Sequence, residues 1–67
     1  MKVFAERLKE LREDKNLSIL ALSKELNVSV SSIFRWENAQ VDIKASQLKL
    51  LANYFKVSTD YLLGLEN

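Results

Sequence analysis

The sequence contains no cysteine, no histidine and no proline, and a single glycine. Without Cys no disulfide can staple the fold, and without Cys or His the usual zinc sets cannot form. No metal and no cofactor is therefore expected. Natural domains below about 70 residues often rely on such staples, so this chain of 67 residues must be held by packed side chains alone. The same absences remove the commonest general bases and nucleophiles. No glycine-rich loop is present to cradle a phosphate. The acidic residues mostly sit near Lys or Arg at helical spacing, as on a solvated face, so an enzyme is not expected. There is no apolar run of the roughly 18 residues that a membrane span requires. Residues 1–15 alternate charged with apolar side chains, unlike a signal peptide. No membrane association and a cytoplasmic location are expected.

What is present is a chain 48% hydrophobic and rich in Leu, Lys, Glu and Ala. Sheets need turns, and turns usually need Gly, Pro, Asn or Asp. So little Gly and Pro predicts an all-α fold, five short helices joined by short links, in one domain over residues 1–67. A domain of this size buries only about 60% of its unfolded surface, so its stability margin is thin. The net charge of +1 is modest for a nucleic-acid binder. Binding needs only one suitable face, however.

Periodicity places the helices. Phe4, Leu8 and Leu11 share one face of a helix over Val3 to Lys15. Asn16 can take the left-handed conformation that ends it. Ser18 is an N-cap for a second helix over about Ile19 to Leu26, with Leu22 and Leu26 inward and the small Ser23 between them. Asn27 sits where the chain must turn, and Asn tolerates positive φ. Ser29 opens a third helix through about Asn38, with Ile33 and Trp36 as its buried stripe and Val28 just before the cap. The stretch from Ala39 to Lys44 is irregular, and Asp42 is expected to cap the fourth helix. Ala45 to Lys56 is the clearest amphipathic helix, with Leu48, Leu51, Ala52 and Phe55 on one face. Ser58 caps a last helix through Leu63, and Gly64 supplies its left-handed end.

The second and third helices are linked by about three residues centred on Asn27, the spacing of a helix-turn-helix. Such a unit needs a small residue where the helices touch, tolerance of positive φ in the turn, and apolar inner positions. Ser23, Asn27, and Leu22, Leu26, Val28, Ile33 and Trp36 supply these. On periodicity alone, any helical hairpin in a small bundle fits as well. More specific are Arg7-Leu8-Lys9-Glu10-Leu11-Arg12, Leu17-Ser18, Asn27-Val28-Ser29, Ser32-Ile33, Arg35-Trp36-Glu37-Asn38, Leu51-Ala52-Asn53-Tyr54-Phe55, Val57-Ser58 and Asp60-Tyr61-Leu62-Leu63-Gly64. In this order and spacing the chain resembles the phage repressor and Cro-like (XRE) family of lambda-repressor-like DNA-binding domains, with a central helix-turn-helix.

The resemblance implies a sequence-specific, repressor-like regulator binding a palindromic double-stranded DNA operator as a weak homodimer. The helix from Ser29 to Asn38 would enter the major groove. By position, Val30, Ser31, Phe34 and Arg35 would face the bases, while Ser18, Ser29, Ser32, Asn38 and Lys44 would approach the DNA backbone. Arg35 is the leading candidate for direct readout, since its fork matches guanine O6 and N7. Arg12 and Glu37 would form a partly buried structural ion pair. Several positions depart from the family pattern. Ile19 replaces a Gln, Ala21 replaces the Glu of a capping box, and Asn27 replaces a turn Gly. Ala39-Gln40 replaces Gly and a basic residue, and Ile43-Lys44 replaces Pro-Ser. Tyr61, Leu62, Leu63 and Leu65 carry more apolar surface than a five-residue helix can bury, although Leu62 or Leu63 is expected to close the core. The alternative is a protein-interaction module on the same fold, such as an antirepressor or partner subunit, its partner docking on an Ile19/Leu20/Val30/Phe34 face.

Overall fold

Helices α1 (Lys2–Asp14), α2 (Ile19–Leu26), α3 (Val30–Glu37), α4 (Ala45–Phe55) and α5 (Thr59–Leu63) make up this computed structural model, which describes residues 1–66. Three of them start on a serine. Ser18, Ser29 and Ser58 have extended backbones, and their hydroxyls accept the amides of Ala21 (3.0 Å), Ser32 (3.1 Å) and Tyr61 (2.9 Å). Each such cap contributes about 1 kcal/mol. The start of α4 corrects the sequence reading. Lys44, not Asp42, holds the cap position, and no side chain bonds the first-turn amides. A cap must directly precede the first helical residue, and Asp42 lies two positions too early.

All five helices end in one way. The residue past the last turn is left-handed: Asn16, Asn27, Ala39, Lys56 and Gly64 have φ of 57°, 55°, 55°, 58° and 81°. The following amide then bonds the carbonyl five residues back, from Leu17 to Arg12, Val28 to Ser23, Gln40 to Arg35, Val57 to Ala52 and Leu65 to Asp60. This satisfies a carbonyl that the helix would otherwise leave unpaired. In four of the five cases the donor residue is apolar, and Leu17, Val28 and Val57 pack against the core. The positive φ at Asn16, Asn27 and Gly64 agrees with the sequence reading. Ala39 and Lys56 are additions to it, and each holds a conformation costing about 1–2 kcal/mol for a residue with a Cβ.

The core joins Phe4 and Leu8 of α1, Leu22 and Leu26 of α2, Ile33 and Trp36 of α3, Leu51, Ala52 and Phe55 of α4, and Leu62 of α5. Leu62 therefore closes the core, while Leu63 and Leu65 stay exposed. Helix α1 packs on α3 and α5, and α2 on α3 and α4. Ser23, buried where the motif needs a small residue, donates its hydroxyl to the Leu20 carbonyl (2.7 Å).

Two arginines tie distant segments together. Arg12 meets Glu37 with two parallel hydrogen bonds, Nε to Oε2 at 2.7 Å and Nη2 to Oε1 at 2.9 Å. Its Nη1 donates to the Leu17 carbonyl at 2.7 Å, closing the turn between α1 and α2. The pair joins α1 to α3 as the resemblance implies. Arg7 lies over the Tyr61 ring, 4.3 Å from its centroid, and donates to the carbonyls of Tyr61 and Glu66. It thereby neutralises the C-terminal end of α5.

Candidate nucleic-acid interface

The turn from α2 to α3 spans Asn27, Val28 and Ser29. Asn27 turns the chain through its left-handed conformation (φ 55°, ψ 43°), and Ser29 immediately restarts a helix. Val28 packs inward between them. The core contacts of Ile33 and Trp36 fix the rotation of α3 about its axis. At 100° per residue, this turns Val30, Ser31, Phe34, Arg35 and Asn38 outward, and all five are exposed.

The outward face has two rows, each spaced by four residues. One is apolar, with Val30 43% and Phe34 51% exposed. The other is polar, Ser31 followed by Arg35. The Arg35 Nε donates to the Ser31 carbonyl at 3.3 Å, which leaves its two terminal nitrogens as a fork. The Asn38 side-chain amide donates to the Phe34 carbonyl at 2.7 Å, and its backbone amide bonds the same oxygen at 3.1 Å. Helix α3 is thus closed at the C-terminal end of its outward face.

Of the residues expected near phosphates, Ser18, Ser29, Ser32 and Asn38 are already engaged within the protein, to different degrees. The Ser18 oxygen caps α2, leaving its hydroxyl proton to donate outward. Ser29 and Ser32 share a hydroxyl–hydroxyl bond at 2.8 Å in addition to the Ser29 cap. Lys44 is exposed at the start of α4, beyond the loop after α3. The positive ends of α2 and α3 add backbone amides, which favour anions.

One expected neighbour does not belong on this face. Ile19 is half-buried and packs against the core, leaving Leu20, 55% exposed, as the apolar residue presented by the first turn of α2. Adjacent positions on a helix point about 100° apart, and the packing of Ile19 against the core turns Leu20 to the surface. Of the ten Lys and Arg residues, Arg7 and Arg12 are spent on internal contacts, and Lys15 lies over the Tyr54 ring, 5.2 Å from its centroid. Arg35 is the one charged residue on the outward face of α3. Sequence reasoning passed over the Arg7 clamp and the Tyr54–Glu25 hydrogen bond (3.1 Å) that links α4 to α2. Their partners are 29 to 59 residues apart, and no local pattern signals them.

No helix among the described residues is long and apolar enough to cross a membrane. No group of three His, Cys, Asp or Glu residues among them could hold a metal ion.

Comparison with known proteins places this geometry. The helix-turn-helix family model matches residues 8–62. The chain is 36% identical over 63 residues to the HTH-type transcriptional activator BcrR of Enterococcus faecalis, an alignment covering 94% of this chain. The matched region is 31% of that relative, so the chain spans about a third of its length.

Proposed function

We propose that this chain, which belongs to the helix-turn-helix family, regulates transcription by laying α3 in the major groove of a specific duplex DNA site. The family is one of transcription regulators, not of enzymes. The observation that carries the reading is the outward row of α3. Arg35 stands there with its terminal nitrogens available, on a helix whose rotation is set by the buried Ile33 and Trp36. Arg35 reads a guanine, with Ser31 beside it, while Val30 and Phe34 meet the neighbouring bases. Ser18, Ser29, Ser32, Asn38 and Lys44, with the amides opening α2 and α3, position the protein on the phosphates. The named relative is an activator, so this reading carries no preference for repression over activation. Two copies would bind a palindromic site with half-sites about 10–10.5 bp apart, joined weakly through the exposed Leu63 and Leu65.

Selection of duplexes from a random pool tests this directly, giving affinity, sequence and half-site spacing together. Arg35→Ala is expected to weaken the selected site by about 1–3 kcal/mol and to relax one base position. Because Arg35 is the one charged residue on the outward face of α3, the salt dependence should be shallow. If Arg35 and Lys44 are the cations engaged, the slope of log K against log salt is about −2 per copy. The second reading, a module that binds protein, is favoured by the apolar Leu20, Val30 and Phe34 and by the low net charge. It requires that no duplex be bound even at low salt.

A further inference from the structure

The apolar row of α3 narrows what this helix can read. Val30 and Phe34 are about half exposed and one turn apart, and neither can form a hydrogen bond through its side chain. Most atoms on the major-groove edge of a base pair are donors or acceptors. Pressing Phe34 against those would bury polar groups without partners, which is unfavourable. The groove offers one apolar feature, the methyl group on C5 of a pyrimidine. Four residues of helix advance about 6 Å, slightly less than two base steps of about 3.4 Å each. The two side chains therefore address methyl groups no more than two steps apart. The parallel row of Ser31 and Arg35 keeps polar readout one residue away, so the apolar row is not needed for hydrogen bonding.

We propose that Val30 and Phe34 read pyrimidine C5-methyl groups in the major groove. Both sources of that group, thymine and 5-methylcytosine, carry it at the same place. Binding by this chain would then respond to cytosine C5 methylation within its site, with methylated cytosine substituting in part for thymine. The inference rests on the DNA-binding reading above and assigns a specificity to one row of the same face.

The test uses the duplex selected from the random pool, with single-base replacements. Changing thymine to uracil removes only the methyl group. At one or two positions in each half-site this should weaken binding about fourfold, the effect of one buried methyl-sized group at about 0.8 kcal/mol. At the same positions a duplex carrying 5-methylcytosine should bind about fourfold more tightly than its cytosine counterpart. A loss with uracil and no gain with 5-methylcytosine would restrict the site to thymine. In Phe34→Ala the difference between thymine and uracil should vanish at one of these positions. Retained helical circular dichroism and buried Trp36 fluorescence would establish that this variant is folded. Binding with equal affinity for thymine and uracil duplexes at every position overturns the methyl assignment alone. So does a folded Phe34→Ala that keeps full discrimination. Absence of binding to any duplex at low salt overturns the DNA reading itself, and this inference with it.

Discussion

Removing Arg12 should cost this protein most of its stability. The Glu37 carboxylate is only 4% exposed, and both of its oxygens accept from Arg12, at 2.7 and 2.9 Å. Arg12→Ala would leave that carboxylate buried without its cation and the Leu17 carbonyl without its donor. A buried charge deprived of its partner costs about 3–5 kcal/mol. A domain of this size has roughly 3–10 kcal/mol in total, at about 0.05–0.15 kcal/mol per residue. The single variant should therefore sit at or near the margin of folding. Glu37→Ala should cost less, because Arg12 keeps its bond to Leu17 and its side chain is 11% exposed. The double variant Arg12→Met/Glu37→Leu should recover most of the loss, since apolar residues of similar volume avoid the desolvation penalty. Urea unfolding followed by the fluorescence of Trp36, the sole tryptophan and the neighbour of Glu37, reads all three. The hydrogen bond to Glu37 raises the Arg12 pKa above its already high ordinary value. The folded state thus holds that proton more tightly, and the stability gained is lost only as pH rises through the folded value. The arginine side of the pair adds no pH dependence near neutrality. Single variants each losing under about 1 kcal/mol, with additive effects, would refute the reasoning.

Three further outcomes are expected from the helix ends and from the α2–α4 contact. Ala39→Gly relieves a left-handed alanine (φ 55°); allowing for the greater entropy of unfolded glycine, it should stabilise by about 0.5–1 kcal/mol, and a fall in the urea midpoint would contradict this. Gly64→Ala should destabilise by about 1–2 kcal/mol. Its φ is +81° and its new Cβ would lie 2.7 Å from Cγ1 of Val3. Adding Val3→Ala should recover only the part due to crowding, and full recovery would show that the backbone is unstrained. Desolvation, then the hydrogen bond to Glu25, raises the Tyr54 phenol above its ordinary value. The folded state favours the protonated phenol, so that contribution is complete below about pH 10 and is lost as pH rises through the folded value. Tyr54→Phe should fall less steeply than the parent in urea midpoint above that pH, and parallel curves would remove Tyr54 from the account.

By itself the sequence determined the number of helices, their order and most of their starts. These depend on interactions within a few residues. Ser18, Ser29 and Ser58 cap the turn directly after them, Asn16, Asn27 and Gly64 tolerate the left-handed turn they make, and Ile33 and Trp36 mark the inward face of α3. Once that face is known, helix geometry alone turns Val30, Ser31, Phe34 and Arg35 outward, so the candidate reading surface was legible before any contact was seen. The Arg12–Glu37 pair spans 25 residues and was anticipated through family resemblance, not through local pattern. Tertiary structure decided the rest. Ala39 and Lys56 carry no side-chain signal for positive φ, yet the reversal after α3 and the packing of Val57 place them there. Lys44 starts α4 without a side-chain cap, and α4 packs on α2 and α5. Ile19 and Leu20 are both apolar and adjacent, and only the packing of α2 on α3 and α4 selects Ile19 for the core and Leu20 for the surface. Arg7 finds Tyr61 and Glu66 across more than fifty residues because α1 and α5 pack side by side. Each of these outcomes depends on which surfaces meet, and local propensity carries no information about partners that distant in the chain.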